Sequence, residues 1–121
     1  MKLIIAGTRT LSPSLALIEE LTSQFKEIPK ITEVVSGKEP KGVDAAGERW
    51  AWCNKIPVKE FPADWDKHGR SAGPIRNKQM AKYADALLLI WDGESRGSAS
   101  MKKYMKEQKK PVWECILRRE L

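Results

Sequence analysis

With 121 residues, 41% of them hydrophobic and 31% charged, the chain has the size and balance of one soluble domain that needs no disulfide support. No apolar run approaches the roughly 20 residues that span a bilayer. The N-terminus meets Gly7 too early for a signal-peptide core, so a cytoplasmic protein with no membrane partner is expected. The formal net charge of +6 admits nucleic acid and anionic small molecules alike.

Lys2 to Ala6 reads as a first strand that ends at Gly7. Ser12-Pro13 then offers an N-cap and a proline at the first helical position. Leu15, Ile18, Leu21 (or Thr22) and Phe25 follow at helical spacing, with Pro29 closing the helix. Ile31 to Ser36 is the second strand, stopped by Gly37. Val43, Ala46, Trp50 and Cys53 mark one face of a second helix. Pro57 to Phe61 mixes apolar and charged residues, as a half-exposed edge strand does. A polar loop runs from Pro62 to Ser71. Gly73-Pro74 restarts a helix whose inner face carries Asn77, Met80, Ala81 and Ala84. Ala86 to Trp91 is a continuous apolar strand, ended by Asp92-Gly93. Gly97-Ser98 opens the last helix, with Met101, Tyr104, Met105 and Gln108 inward, and Pro111 to Ile116 forms a final short strand.

Five strands alternating with four helices predict an α/β fold: a single Rossmann-like domain over residues 1–121, with helices on both faces of a mostly parallel sheet. The two most apolar strands, Lys2–Ala6 and Ala86–Trp91, belong at the centre. Adding the others outward gives the order 3-2-1-4-5. The topological switch point then falls between strands one and four, where open α/β sheets bind ligands. The loops there are Gly7-Thr8-Arg9 and Asp92 to Ser98.

Gly7 allows close approach of the backbone to a ligand, and Arg9 can pair with a phosphate oxygen; a tight turn with an exposed arginine is the simpler alternative. Asp44 stands just after Gly42 in the first turn of its helix, suited to helix capping or to a ribose hydroxyl. Arg76, expected in the first turn after Gly73-Pro74, opposes the helix dipole by about 0.3–1 kcal/mol unless an anion binds there. The alternative is a partner such as Asp64 or Asp66. The Asp92-to-Ser98 loop, with Gly93, Ser95, Gly97 and Ser98, can offer backbone N–H groups and hydroxyls to a phosphate at a helix start.

Sharper motifs fail. Gly93-x-Ser95-x-Gly97 has the form of a nucleophile elbow, but the only histidine, His68, precedes the serine. Gly37-Lys38 is followed by Glu39 where a P-loop needs Ser or Thr, and Thr32 replaces its first glycine. Ser36-Gly37 stands where NAD enzymes usually carry their ribose-binding acid. Asp64, Asp66 and His68 suit solvent better than a metal, and Cys53 and Cys115 match no metal spacing and read as buried thiols. Neither a metal nor a resident cofactor is therefore expected. Lys102, Lys103, Lys106, Lys109, Lys110, Arg118 and Arg119 read as a solvated face. Among the tryptophans, Trp50 belongs to a core face, Trp91 and Trp113 to strands, and Trp52 to a surface between copies in a homo-oligomer. Trp65 either stacks on a base or anchors its loop.

The run AGPIRNKQMAKYADALLLIWDGESRGSASM, together with IIAGTRT and SGKEPKGVDAAGERWA, resembles the SLOG superfamily and, within it, the small YspA/YpsA-related branch. The resemblance covers nearly the whole chain. It implies a Rossmann-like fold and binding of nucleotides or their derivatives. It marks Gly7, Thr8 and Arg9; Ser36, Gly37, Gly42 and Asp44; Arg76 and Asn77; and Asp92, Gly93, Gly97 and Ser98. Phosphoribohydrolases of that superfamily carry a glutamate after their glycine loop. Here Gly97-Ser98 is followed by Ala99, Ser100 and Met101, which shifts the expectation from catalysis to binding.

The leading expectation is a binding module for a nucleotide-derived small molecule. Its phosphate sits at Gly97-Ser98 with Arg9 and Arg76, its ribose on Asp44 and its base near Trp65. An enzyme cleaving an N-glycosidic or phosphoester bond, with Asp44 or Glu48 as acid or base, is the alternative. Binding of single-stranded nucleic acid ranks third, because Tyr104 is the only aromatic within the lysine cluster.

Overall fold

The structure, a computed structural model, describes residues 1–24 and 30–117. The expectations for Phe25, Pro29, Arg118 and Arg119 lie outside the described residues. Five parallel strands form one sheet in the order β3-β2-β1-β4-β5. They are β1 (Lys2–Gly7), β2 (Glu33–Ser36), β3 (Val58–Glu60), β4 (Ala86–Trp91) and β5 (Val112–Ile116). The helices are α1 (Leu15–Gln24), α2 (Val43–Cys53), the single turn α3 (Trp65–His68), α4 (Ala72–Tyr83) and α5 (Arg96–Glu107). A short 3-10 turn, Gly69–Ser71, joins α3 to α4. The expected order and doubly wound α/β architecture are therefore what the chain adopts.

The central strands are apolar throughout because both their faces are covered. Leu3 and Ile5 of β1, with Ala86, Leu88 and Ile90 of β4, pack with Ile18 of α1 and Val43, Ala46 and Trp50 of α2. On the opposite face, Ile4, Leu87 and Leu89 pack against Met80 and Ala81 of α4 and Met101 and Met105 of α5. This alternation is the two-residue period of a strand divided between two helical layers. Pro57 and Pro111 lie just outside β3 and β5, consistent with a residue that has no N–H for a ladder.

Several local expectations shift. The cap of α1 is Ser14, not Ser12: its Oγ accepts from Leu17 N at 3.0 Å, which leaves Pro13 outside the helix. Part of the expected polar loop is helical, since Asp64 Oδ1 accepts from Lys67 N at 3.1 Å and caps α3. In place of Gly73-Pro74, α4 starts at Ala72. Likewise α5 starts at Arg96, capped by Ser95, whose side chain accepts from Ser98 N. Cys53 is exposed at the end of α2 rather than buried, and Gln108 is exposed just past α5. Trp52 is 61% exposed. No helix among the described residues is long and apolar enough to cross a membrane.

Gly7 pairs with Ile90, and a Cβ there would lie 1.7 Å from the Ile90 carbonyl oxygen. Gly7→Ala must push β1 from β4, so a large loss of stability is expected. Leu88→Ala, at a fully buried site, is expected to cost about 2–5 kcal/mol. Urea unfolding midpoints check both; a Gly7→Ala protein as stable as the wild type would contradict the close approach.

Candidate functional site

A cleft of about 610 Å³ opens where the carboxyl ends of β1 and β4 diverge, within the usual range for small-molecule sites. Gly7, Thr8 and Arg9 enter it from β1, Gly37 from the turn after β2, and Asp44 from α2. Trp65 of α3, Arg76 and Asn77 of α4, and Asp92, Ser95, Gly97 and Ser98 at the start of α5 also line it.

Four expected residues do not line the cleft. Ser36 Oγ accepts from Lys38 N at 3.1 Å and so shapes the turn. Gly42, with φ +78°, packs against the backbone of Arg9, where a Cβ would sit 2.6 Å from Cα, and thereby supports the loop that carries the arginine. Gly93 forms the turn after β4, with φ +85°. Glu48 is buried but holds Lys38 at 3.0 Å, and Lys38 also reaches Glu60 at 3.0 Å. Other lining residues were not singled out from the sequence, chiefly Thr10, Glu39, Arg96 and Ser100. Arg96 was legible as a cation between Ser95 and Gly97.

The two loops at the switch point are tied together. Thr8 Oγ1 accepts from Asp92 N at 3.2 Å, and Asp92 Oδ1 accepts from Glu94 N and Ser95 N at 2.8 Å each. Those two N–H donations, with a smaller part from Thr8, hold the Asp92 carboxyl below its ordinary pKa. They also use N–H groups that a bound phosphate was expected to take. Ser98 N is used too, at 3.4 Å from Ser95 Oγ. What the helix start still offers is the N–H of Arg96 and of Gly97, which have no acceptor in the first turn, and the Ser98 hydroxyl. Ser98 is only 4% exposed, and its Oγ has no hydrogen-bond partner.

Because α4 begins at Ala72, Arg76 lies in its second turn, and the expected conflict with the helix dipole falls away. Its guanidinium is instead fixed from two sides. Nη1 donates to the Gly37 carbonyl, and Nε donates to Asn77 Oδ1 at 2.9 Å. A side chain on Gly37 would remove that room, since its Cβ would stand 2.6 Å from Arg76 Nη1. Neither Asp64 nor Asp66 pairs with it. Among the described residues the salt bridges involve lysines only, which leaves Arg9, Arg76 and Arg96 without a paired carboxylate.

Asp44 is 7% exposed. Burial pushes its carboxyl up to about 7, against the opposing pull of the Glu39 N–H at 3.3 Å and of Arg76. Glu39 and Glu48 add to the rise. The group therefore changes charge near neutral pH, where it can donate or accept a hydrogen bond. Asp64, Asp66 and His68 do not form a metal site, and no group of three such side chains does so among the described residues.

The raised carboxyl has a consequence for stability. Between pH 4 and pH 7, roughly, the folded state holds a proton that the unfolded state has released, so stability falls as pH rises through this window and is level above it. Asp44→Asn removes the effect. The variant is expected to gain a few kcal/mol on the wild type between pH 5 and pH 8, and to match it only near pH 4 and below. Urea unfolding at the two pH values measures this; a variant less stable at pH 8 would contradict the buried, proton-holding carboxyl.

A family model described as the YspA, cpYpsA-related SLOG family matches residues 1–68, from β1 through α3. The matched part includes the loop after β1, the Gly37 turn, Asp44 and Trp65. A similar protein is the Gene 61 protein of Mycobacterium phage D29, 29% identical over 103 residues, which cover 80% of this chain and 82% of that protein. No solved structure matches. With more than half of its length matched, the chain belongs to the YspA, cpYpsA-related SLOG family.

Proposed function

We propose that the protein binds a nucleotide or nucleotide-derived ligand by its phosphate in the cleft between β1 and β4, as a sensing or sequestering module. SLOG domains generally bind ligands of this class. One observation carries the reading: a buried Ser98 hydroxyl without a partner, at the N-terminus of a twelve-residue helix. Leaving such a group unpaired costs about 1–3 kcal/mol, a cost that an incoming phosphate oxygen removes. The two remaining first-turn N–H groups and the helix dipole favour the same anion. Arg9, Arg76 and Arg96 line the cleft and form no salt bridge among the described residues, which leaves their guanidiniums able to meet the same anion. On this reading Asp44 meets ribose hydroxyls, and Trp65, 53% exposed at the rim, offers its ring to the base.

Asp44 also favours a second reading, hydrolysis of an N-glycosidic or phosphoester bond. A carboxyl poised near 7 is suited to acid–base work. A bound ligand recovered intact after prolonged incubation would exclude it. Nucleic acid is the weaker reading, because Tyr104 is the only aromatic among the lysines of α5 and Lys102 is paired with Glu114 at 2.6 Å.

Thermal stability measured against ribonucleoside mono-, di- and triphosphates tests the proposal. Saturating ligand at 100 times Kd is expected to add about 2.7 kcal/mol. Ser98→Ala removes the orphaned hydroxyl, so the free protein should keep or slightly gain stability while affinity falls about tenfold. Stabilisation by none of these ligands would overturn the proposal.

A further inference from the structure

The cleft holds two places that can each take a phosphoryl group, and one side chain connects them. The first is the start of α5, with the N–H groups of Arg96 and Gly97 and the orphaned Ser98 hydroxyl. The second is the guanidinium of Arg76, held by the Gly37 carbonyl and paired with no carboxylate. Asn77 lies between them, 7% exposed, with both ends of its carboxamide committed to protein groups. Its Oδ1 accepts from Arg76 Nε at 2.9 Å, and its Nδ2 donates to the Gly97 carbonyl at 3.4 Å. Little of the amide is left for a ligand. It links the Arg76 guanidinium to the first turn of α5 through a single carboxamide, so the two places are neighbours in one cleft.

We propose that the ligand carries two linked phosphoryl groups, as a nucleoside diphosphate or an ester of one does. One phosphate lies at the first turn of α5 and the other on Arg76, and Asn77 is the positioning residue that sets their separation. The proposal rests on the nucleotide-phosphate reading of the cleft and narrows it. Arg76 makes no salt bridge among the described residues, and the planar arginine fork suits phosphate oxygens.

Calorimetric titration of the full chain with phosphate, pyrophosphate and each ribonucleoside mono- and diphosphate tests this. Pyrophosphate is expected to bind at least about tenfold more tightly than phosphate, and a diphosphate to exceed its monophosphate by a similar factor. Asn77→Ala and Arg76→Gln are each expected to reduce that ratio to within about threefold, by weakening the diphosphate much more than the monophosphate. The ratio is the readout, because general loosening of the fold weakens both ligands together. Arg76→Gln serves alone if Asn77→Ala does not fold, and Lys103→Ala, outside the cleft, should alter nothing. Equal affinity for mono- and diphosphates would overturn this proposal and leave the nucleotide reading standing, as would a preference that survives both cleft substitutions. Binding of none of these anions would overturn both.

Discussion

The parallel pairing of β1 with β4, from Leu3 against Ala86 to Gly7 against Ile90, governs the rest of the molecule. Chain connections on either side of this pair lead away in opposite directions, so their carboxyl ends leave a gap that neither crossover fills. Gly7 is the condition for it, because a Cβ there would collide with the Ile90 carbonyl. The loops that follow, carrying Arg9 on one side and Asp92 to Ser98 on the other, then face each other across the gap. The hydrogen bond from Asp92 N to Thr8 Oγ1 ties them at the base.

What collects in that gap is costly to the free protein. Asp44 is buried at the expense of its charge, and Ser98 has no partner for its hydroxyl. Elsewhere polar groups find partners: Trp50 Nε1 donates to Glu19, Trp91 Nε1 to Glu114, and Lys110 caps carbonyls of α4. Among the described residues, the buried side-chain hydroxyls left without a partner, on Ser98 and Ser100, both belong to this cleft, the pattern expected where a ligand supplies the missing groups.

The fold was legible because its strongest signals are local. Ala86 to Trp91 is apolar without interruption, and only a strand buried on both faces accommodates that in six residues. Cap positions were less legible, since Ser12 and Ser14 offer the same chemistry and only the chain path selects between them. The single turn α3 is too short to show a helical period, although Asp64 carries its cap. Cys53 sits on the expected helical stripe but in the last turn, where α2 has passed beyond the sheet.

At the site, the sequence identified the loops but not the division of labour within them. Asp92 turning back on its own loop, and Asn77 committing both ends of its amide, depend on backbone paths that residue order does not disclose. Arg96 was visible as a charge, yet its place in the cleft follows only from α5 starting one residue before Gly97. The most direct test of the central claim is a two-dimensional amide NMR titration with pyrophosphate. Shifts concentrated at Gly7 to Arg9, Gly37 and Arg96 to Ser98 are expected; shifts confined to the lysine face from Lys102 to Lys106, with the cleft unmoved, would contradict it.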